Sequence, residues 1–103
     1  MGASKTKQFT EKEIGFSLVG RALSHPARIA ILDHLRKNAA CRNTDLIPFL
    51  GLSKTTVHQH IVTLKDAGLV ECRFMLRSSY LITLNAASIE DFSLFVDKVA
   101  STR

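Results

Sequence analysis

The stretch LIPFLGLSKTTVHQHIVTLKDAGLV, residues 46–70, constrains this chain most, because it ends one helix and starts another across a three-residue turn. Gly51 suits the left-handed residue that closes a helix, and Ser53 can accept a backbone N–H bond as N-cap of the next. From there Val57, Ile61 and Leu64 recur at helical spacing, and Gly68 supplies the stop. At about 100° per residue, Thr55, Gln59 and Asp66 fall opposite this apolar stripe, with His58 and Val62 on its shoulder. The outer face therefore carries short hydrogen-bonding side chains in place of the Glu and Lys of an ordinary solvated helix. Such a face suits a helix that reads base edges in a major groove.

Charge points the same way. Among 103 residues, 14 Lys and Arg stand against 9 Asp and Glu, a net charge of +5, so nucleic acid is the first partner to expect. The length fits one domain with a modest core that a partner subunit would support. No apolar run reaches the roughly 18 residues of a membrane span, and no leader is recognisable, so a cytoplasmic protein without membrane attachment is expected. The start, MGASKT, matches a myristoylation pattern through Gly2 and Thr6 and is read as chance. Cys41 and Cys72 have no second Cys or nearby His at ligand spacing. They are expected to be small buried hydrophobes, with thiol or metal sensing as the competing reading.

Residues 1–9 are expected to form a flexible polar tail, and residues 10–103 a single domain. Thr10 and Glu13 form a capping box that starts a helix over residues 11–23. Its apolar residues, among them Ile14, Phe16, Leu18 and Val19, spread over roughly 200° where one-sided packing needs about 100°, so part of that surface is expected to meet another chain. Pro26 suits the first position of a second helix over 26–37, expected to bury Ile29, Ile31, Leu32 and Leu35. His25 and His34 are read as capping or surface residues. Residues 38–43 are read as a loop, after which Asn43 or Thr44 caps a short helix that tolerates Pro48 only near its first turn.

Beyond Gly68 the period changes. Residues 69–75 and 79–84 read as two strands joined by Leu76, Arg77 and Ser78, and Arg73 and Arg77 can reach phosphates from this hairpin. Asn85 caps a last helix over 86–100 that carries Phe92, Phe95, Val96 and Val99 on one stripe. Apolar surface on both terminal helices predicts a homodimer that packs Ile14, Phe16, Leu18, Val19, Phe92, Phe95, Val96 and Val99 across a two-fold axis.

The order of elements, with LSHPARIAILDHL at 23–35, LGLSKTTVHQHIVTLKDAGLVE at 50–71 and YLITLN at 80–85, resembles the ArsR/SmtB family of winged-helix repressors. The resemblance implies a mainly α fold with a β-hairpin wing, five helices and two strands, dimerising through its first and last helices. It also implies a regulator, usually a repressor, that leaves an inverted-repeat operator in double-stranded DNA when an inducer changes the dimer. Carried onto this chain, Lys54, Thr55, Thr56, His58 and Gln59 face the groove. Gln59 suits adenine, His58 suits guanine or a phosphate, Val62 suits a thymine methyl, and Lys54 and Lys65 suit phosphates. His60 points inward and is assigned to packing.

The family's metal sites do not carry over. Where its arsenic and cadmium sensors hold a cysteine pair, this chain has Arg42 and Thr44, with Cys41 out of register by one. Where its zinc and nickel sensors place Asp, His and Glu, the last helix has Glu90 and Asp91 and no histidine. No metal and no cofactor are expected. A protein-interaction or scaffold module, and a thiol or metal sensor built on Cys41 and Cys72, are the alternatives. An enzyme is not expected, since no nucleophile and base, phosphate-cradling glycine loop or carboxylate pair stands at a plausible spacing.

Overall fold

Capping chemistry sets most of the element boundaries. The computed structural model describes residues 8–101. They form α1 (Glu11–Ala22), α2 (Pro26–Asn38), β1 (Ala40–Arg42), α3 (Asn43–Leu50), α4 (Lys54–Asp66), β2 (Val70–Leu76), β3 (Ser79–Leu84) and α5 (Ala86–Ser101). Most of the expected tail at 1–9, including Gly2 and Thr6, lies outside the described residues. At α1, Thr10 Oγ1 accepts from the Glu13 N–H at 3.0 Å while Glu13 Oε1 accepts from the Thr10 N–H at 3.0 Å, which is the expected capping box. At α2, His25 Nδ1 accepts from the Ala27 N–H at 3.0 Å ahead of Pro26. At α5, Asn85 Oδ1 accepts from the Ser88 N–H at 3.3 Å.

Ile31 and Leu35, one turn apart on α2, are fully buried beside Leu46, Val57, Ile61, Leu64 and Ile82. Each such side chain stabilises the fold by roughly 1.5–3 kcal/mol. Ile29, expected in this core, is instead exposed. Two positions before Ile31 it lies about 200° around the helix, so the two cannot face the same core.

The loop expected at 38–43 contains a third strand. β1 pairs antiparallel with β3, Ala40 opposite Thr83, Cys41 opposite Ile82 and Arg42 opposite Leu81, and the sheet order is β1-β3-β2. Three residues are too few to show the alternating pattern that marks a strand in sequence. The start of α3 differs as well. Arg42 occupies the N-cap position, and Asp45 Oδ2 accepts its N–H at 3.0 Å. Asn43 is the first helical residue and is buried. Pro48 is sixth of the eight residues of α3, beyond the first turn where it was expected. The helix loses one bond there and still closes, since the Gly51 N–H donates to the Ile47 carbonyl at 2.9 Å with Gly51 in the left-handed region at φ 67°.

The terminal helices pack on each other within the chain. The Phe16 ring stacks on Phe95 at 4.8 Å and meets Phe92 edge-on at 5.7 Å. Val19, expected at a dimer interface, is only 5% exposed, because it lies one turn from the fully buried Ala22 and faces the same core. Ile14, Leu18, Leu94, Phe95, Val96 and Val99 stay exposed. No helix among the described residues is long and apolar enough to cross a membrane.

Candidate nucleic-acid interface

α4 projects from the core with two unlike faces. Ser53 Oγ accepts from the Thr56 N–H at 3.2 Å and donates to Thr56 Oγ1 at 2.9 Å, so the cap forms as the sequence predicts. Val57, Ile61 and Leu64 are buried to within 1% exposure, whereas Lys54, Thr55, His58, Gln59, Val62 and Lys65 are all exposed. The outward face therefore presents a hydroxyl, an imidazole, an amide and a small apolar group, with an ammonium near each end. Thr56 departs from this set. It is half-buried and its hydroxyl belongs to the cap.

The wing is held against α4 and α3 by three long-range hydrogen bonds. His58 Nδ1 and Tyr80 Oη lie 2.7 Å apart, which joins α4 to β3. Asn43, at the head of α3, donates from Nδ2 to the Ser78 carbonyl at 3.0 Å and accepts at Oδ1 from the Tyr80 N–H at 2.9 Å. Burial pushes the Tyr80 phenol up to about 12, with Cys72 adding a smaller effect in the same direction. Tyr80 therefore keeps its proton at neutral pH and can donate it to His58. The sequence held no local signal for any of the three, since the partners are 22, 35 and 37 positions apart.

The hairpin turn consists of Arg77 and Ser78, with φ of 49° and 20°. Leu76, expected in the connection, still pairs with Ser79 after a break in register between Phe74 and Leu76. Arg73 and Arg77 are exposed on this wing.

A short helix, a turn, a helix with a polar outer face and an arginine-bearing hairpin together make a winged helix-turn-helix. A family described as a helix-turn-helix domain matches residues 23–73. The fold recurs in solved structures. An ArsR-like transcriptional regulator from Rhodococcus sp. RHA1 is 22% identical, with a TM-score of 0.74 over 89% of this chain and 85% of that one. A possible transcriptional regulatory protein from Mycobacterium bovis is 26% identical, with a TM-score of 0.71 over 88% and 96%. The chain has the winged helix-turn-helix fold of these proteins. HlyU from Vibrio cholerae has the same fold at 23% identity, with a TM-score of 0.65 over 84% of this chain and 94% of that one. Comparison with curated proteins finds no match.

The two thiols of this winged-helix chain are not placed to bond. Cys41 and Cys72 both pair with Ile82, from opposite sides. They share a sheet face two strand spacings apart, roughly 9–10 Å. A disulfide needs Cα atoms about 4.4–6.8 Å apart. Burial, with Asp45 as a smaller cause, pushes the Cys41 thiol up to about 11, and burial raises that of Cys72 against the opposing pull of Lys65. Protonated thiols are poor nucleophiles and poor metal ligands. Among the described residues, no three His, Cys, Asp or Glu side chains group as metal ligands. The spacing of the two thiols and their raised values weigh against the sensor alternative.

A buried histidine holds α4 in place. His60 is 8% exposed, as expected of a packing residue. Arg28 Nη1 donates to its Nδ1 at 3.2 Å, and its ring lies 4.4 Å from that of His25. Arg28 Nε also donates to the Ala22 carbonyl at 2.7 Å, so one guanidinium ties the end of α1 to the inner face of α4. Burial first, then the charges of His25 and Arg28, hold the His60 imidazole below its ordinary 6.5. A depressed folded value means that the neutral ring stabilises the fold fully above about 6.5 and that this contribution is lost as pH falls through the lower value. The wild-type urea midpoint should accordingly drop between pH 7 and 5 by more than that of His60→Gln, whose amide oxygen can still accept from Arg28. Equal slopes for the two proteins would refute the assignment.

Proposed function

We propose that this chain is a transcriptional regulator of the ArsR type, a homodimer that binds an inverted-repeat operator in double-stranded DNA through α4 of each protomer, acting as a repressor that an inducer releases. The observation that carries the reading is the pairing of a fully buried inner stripe on α4 with an outer face of exposed Thr55, His58 and Gln59 beside the wing. Gln59 has the amide that pairs bidentately with adenine, and Val62 offers a methyl contact to thymine. With Nδ1 of His58 engaged by Tyr80, the Nε2–H of the exposed ring is the donor left for guanine or a phosphate. Lys54, Lys65, Arg73 and Arg77 supply phosphate contacts, so affinity falls steeply with salt. The exposed apolar residues of α1 and α5 supply the two-fold contact.

Selection of bound sequences from a random duplex pool should return an inverted repeat. On that sequence, Gln59→Ala should cost about 1–3 kcal/mol at one base position, whereas Lys65→Ala should weaken all sequences alike and flatten the salt dependence. A protein that binds its selected sequence no tighter than random duplex does not have this function.

A further inference from the structure

We infer that the tip of the wing is an apolar wedge for the minor groove of the duplex. Phe74, Met75 and Leu76 follow one another near the end of β2 and are 74%, 48% and 69% exposed. Ordinary strand alternation would send neighbouring side chains to opposite faces and cover part of such a run. The break in register leaves Met75 between the paired positions Phe74–Tyr80 and Leu76–Ser79. Three consecutive large apolar side chains in water work against a freely solvated hairpin and mark a surface built for contact.

The flanking residues identify the partner. Arg73 precedes the run, and Arg77 follows it in the turn with φ 49°. Cations on either side of an apolar tip complement a polymer with anionic phosphates outside and stacked apolar bases within. The mounting suits the task too. Asn43 grips the turn at the Ser78 carbonyl and the Tyr80 N–H, and the Tyr80 hydroxyl meets His58 on α4. When α4 occupies a major groove, the wing is a braced arm directed at neighbouring DNA, stiff enough to press into a base step.

Insertion of Phe74 or Leu76 partly unstacks that step and bends the duplex by roughly 20–90°. Pyrimidine–purine steps, which kink easily, are then preferred at the wing although no hydrogen bond reads them. The wedge rests on the DNA-reading function proposed above, and the experiment separates the two. Duplexes selected by the full-length protein carry a dye at each end and 2-aminopurine at the flanking step. Wild type should bend the duplex by tens of degrees and raise the 2-aminopurine fluorescence.

Phe74→Ser with Leu76→Ser should keep the preference at the bases that α4 reads, with the melting temperature and sedimentation of wild type, and lose only the preference for pyrimidine–purine steps at the wing. It should leave the duplex straight and bind about tenfold more weakly, because burying two large side chains only modestly exceeds the cost of unstacking. A straight duplex with wild type, or equal bending by the variant, overturns the wedge while specific reading stands. Failure of wild type to prefer any sequence removes the DNA function itself. A variant that still bends DNA but loses self-association, or loses binding to phosphatidylserine vesicles, would assign the tip to a second copy or to a membrane and overturn the proposal.

Discussion

A chain carrying Val96→Glu and Val99→Glu is expected to remain folded, to sediment as a monomer and to bind its operator about 10² to 10⁴ times more weakly than the parent. Both valines are exposed on α5, and no residue of that helix is fully buried. Both valines share the stripe of Phe92 and Phe95, but the contacts among the Phe16, Phe92 and Phe95 rings that hold α5 on α1 remain in the variant, so the protomer keeps its own packing. Four carboxylates facing each other across a two-fold contact would be desolvated without partners, a cost that an exposed apolar interface cannot meet. The affinity loss follows because one α4 then searches for one half-site, where a dimer delivers the second at high effective concentration. Sedimentation, circular dichroism and a binding titration on one preparation test the chain of events. An unchanged sedimentation coefficient would place the dimer contact elsewhere or deny it.

Leu64→Ala is expected to cost about 2–5 kcal/mol of folding stability, through lost burial and the cavity left behind. Leu64 is fully buried on the inner stripe of α4, against the same core as Ile31 and Ile82. For a domain of this size the loss lowers the melting temperature by roughly 10 °C or more. Val62→Ala, two positions away on the outer shoulder, should stay within about 0.5 kcal/mol of wild type because the side chain is exposed. Urea titration of the two variants reads the two faces of one helix as a pair of numbers. Equal midpoints would mean that α4 is not seated by this stripe.

Contacts one turn apart account for what could be read in advance. The Thr10–Glu13 box, the Ser53 cap, Gly51 at the end of α3, Asn85 at the head of α5 and the stripe of Val57, Ile61 and Leu64 all appear where spacing places them. Each is written within three or four positions, where the helix repeat fixes who meets whom. Periodicity also turned Thr55, His58 and Gln59 outward, since a helix with one buried stripe has one opposite face.

Other features arise from partners far apart in the chain. Asn43 has the chemistry of a cap, and it became the clamp on the wing because the folded hairpin brings the Ser78 carbonyl and Tyr80 N–H to it. Residues 40–42 became a strand because β3 had an open edge beside them. Apolar residue type alone could not separate Ile29 from Ile31, or assign Val19 to the core and Val99 to the surface. Hydrophobic burial has no direction, and the packing of neighbouring elements chooses which apolar groups leave water. The helices and the polar face of α4 therefore belong to short-range chemistry in the chain. The bracing of that face by His60, Tyr80 and Asn43 belongs to three-dimensional assembly, because hydrogen bonds form between whatever groups the fold brings within about 3 Å.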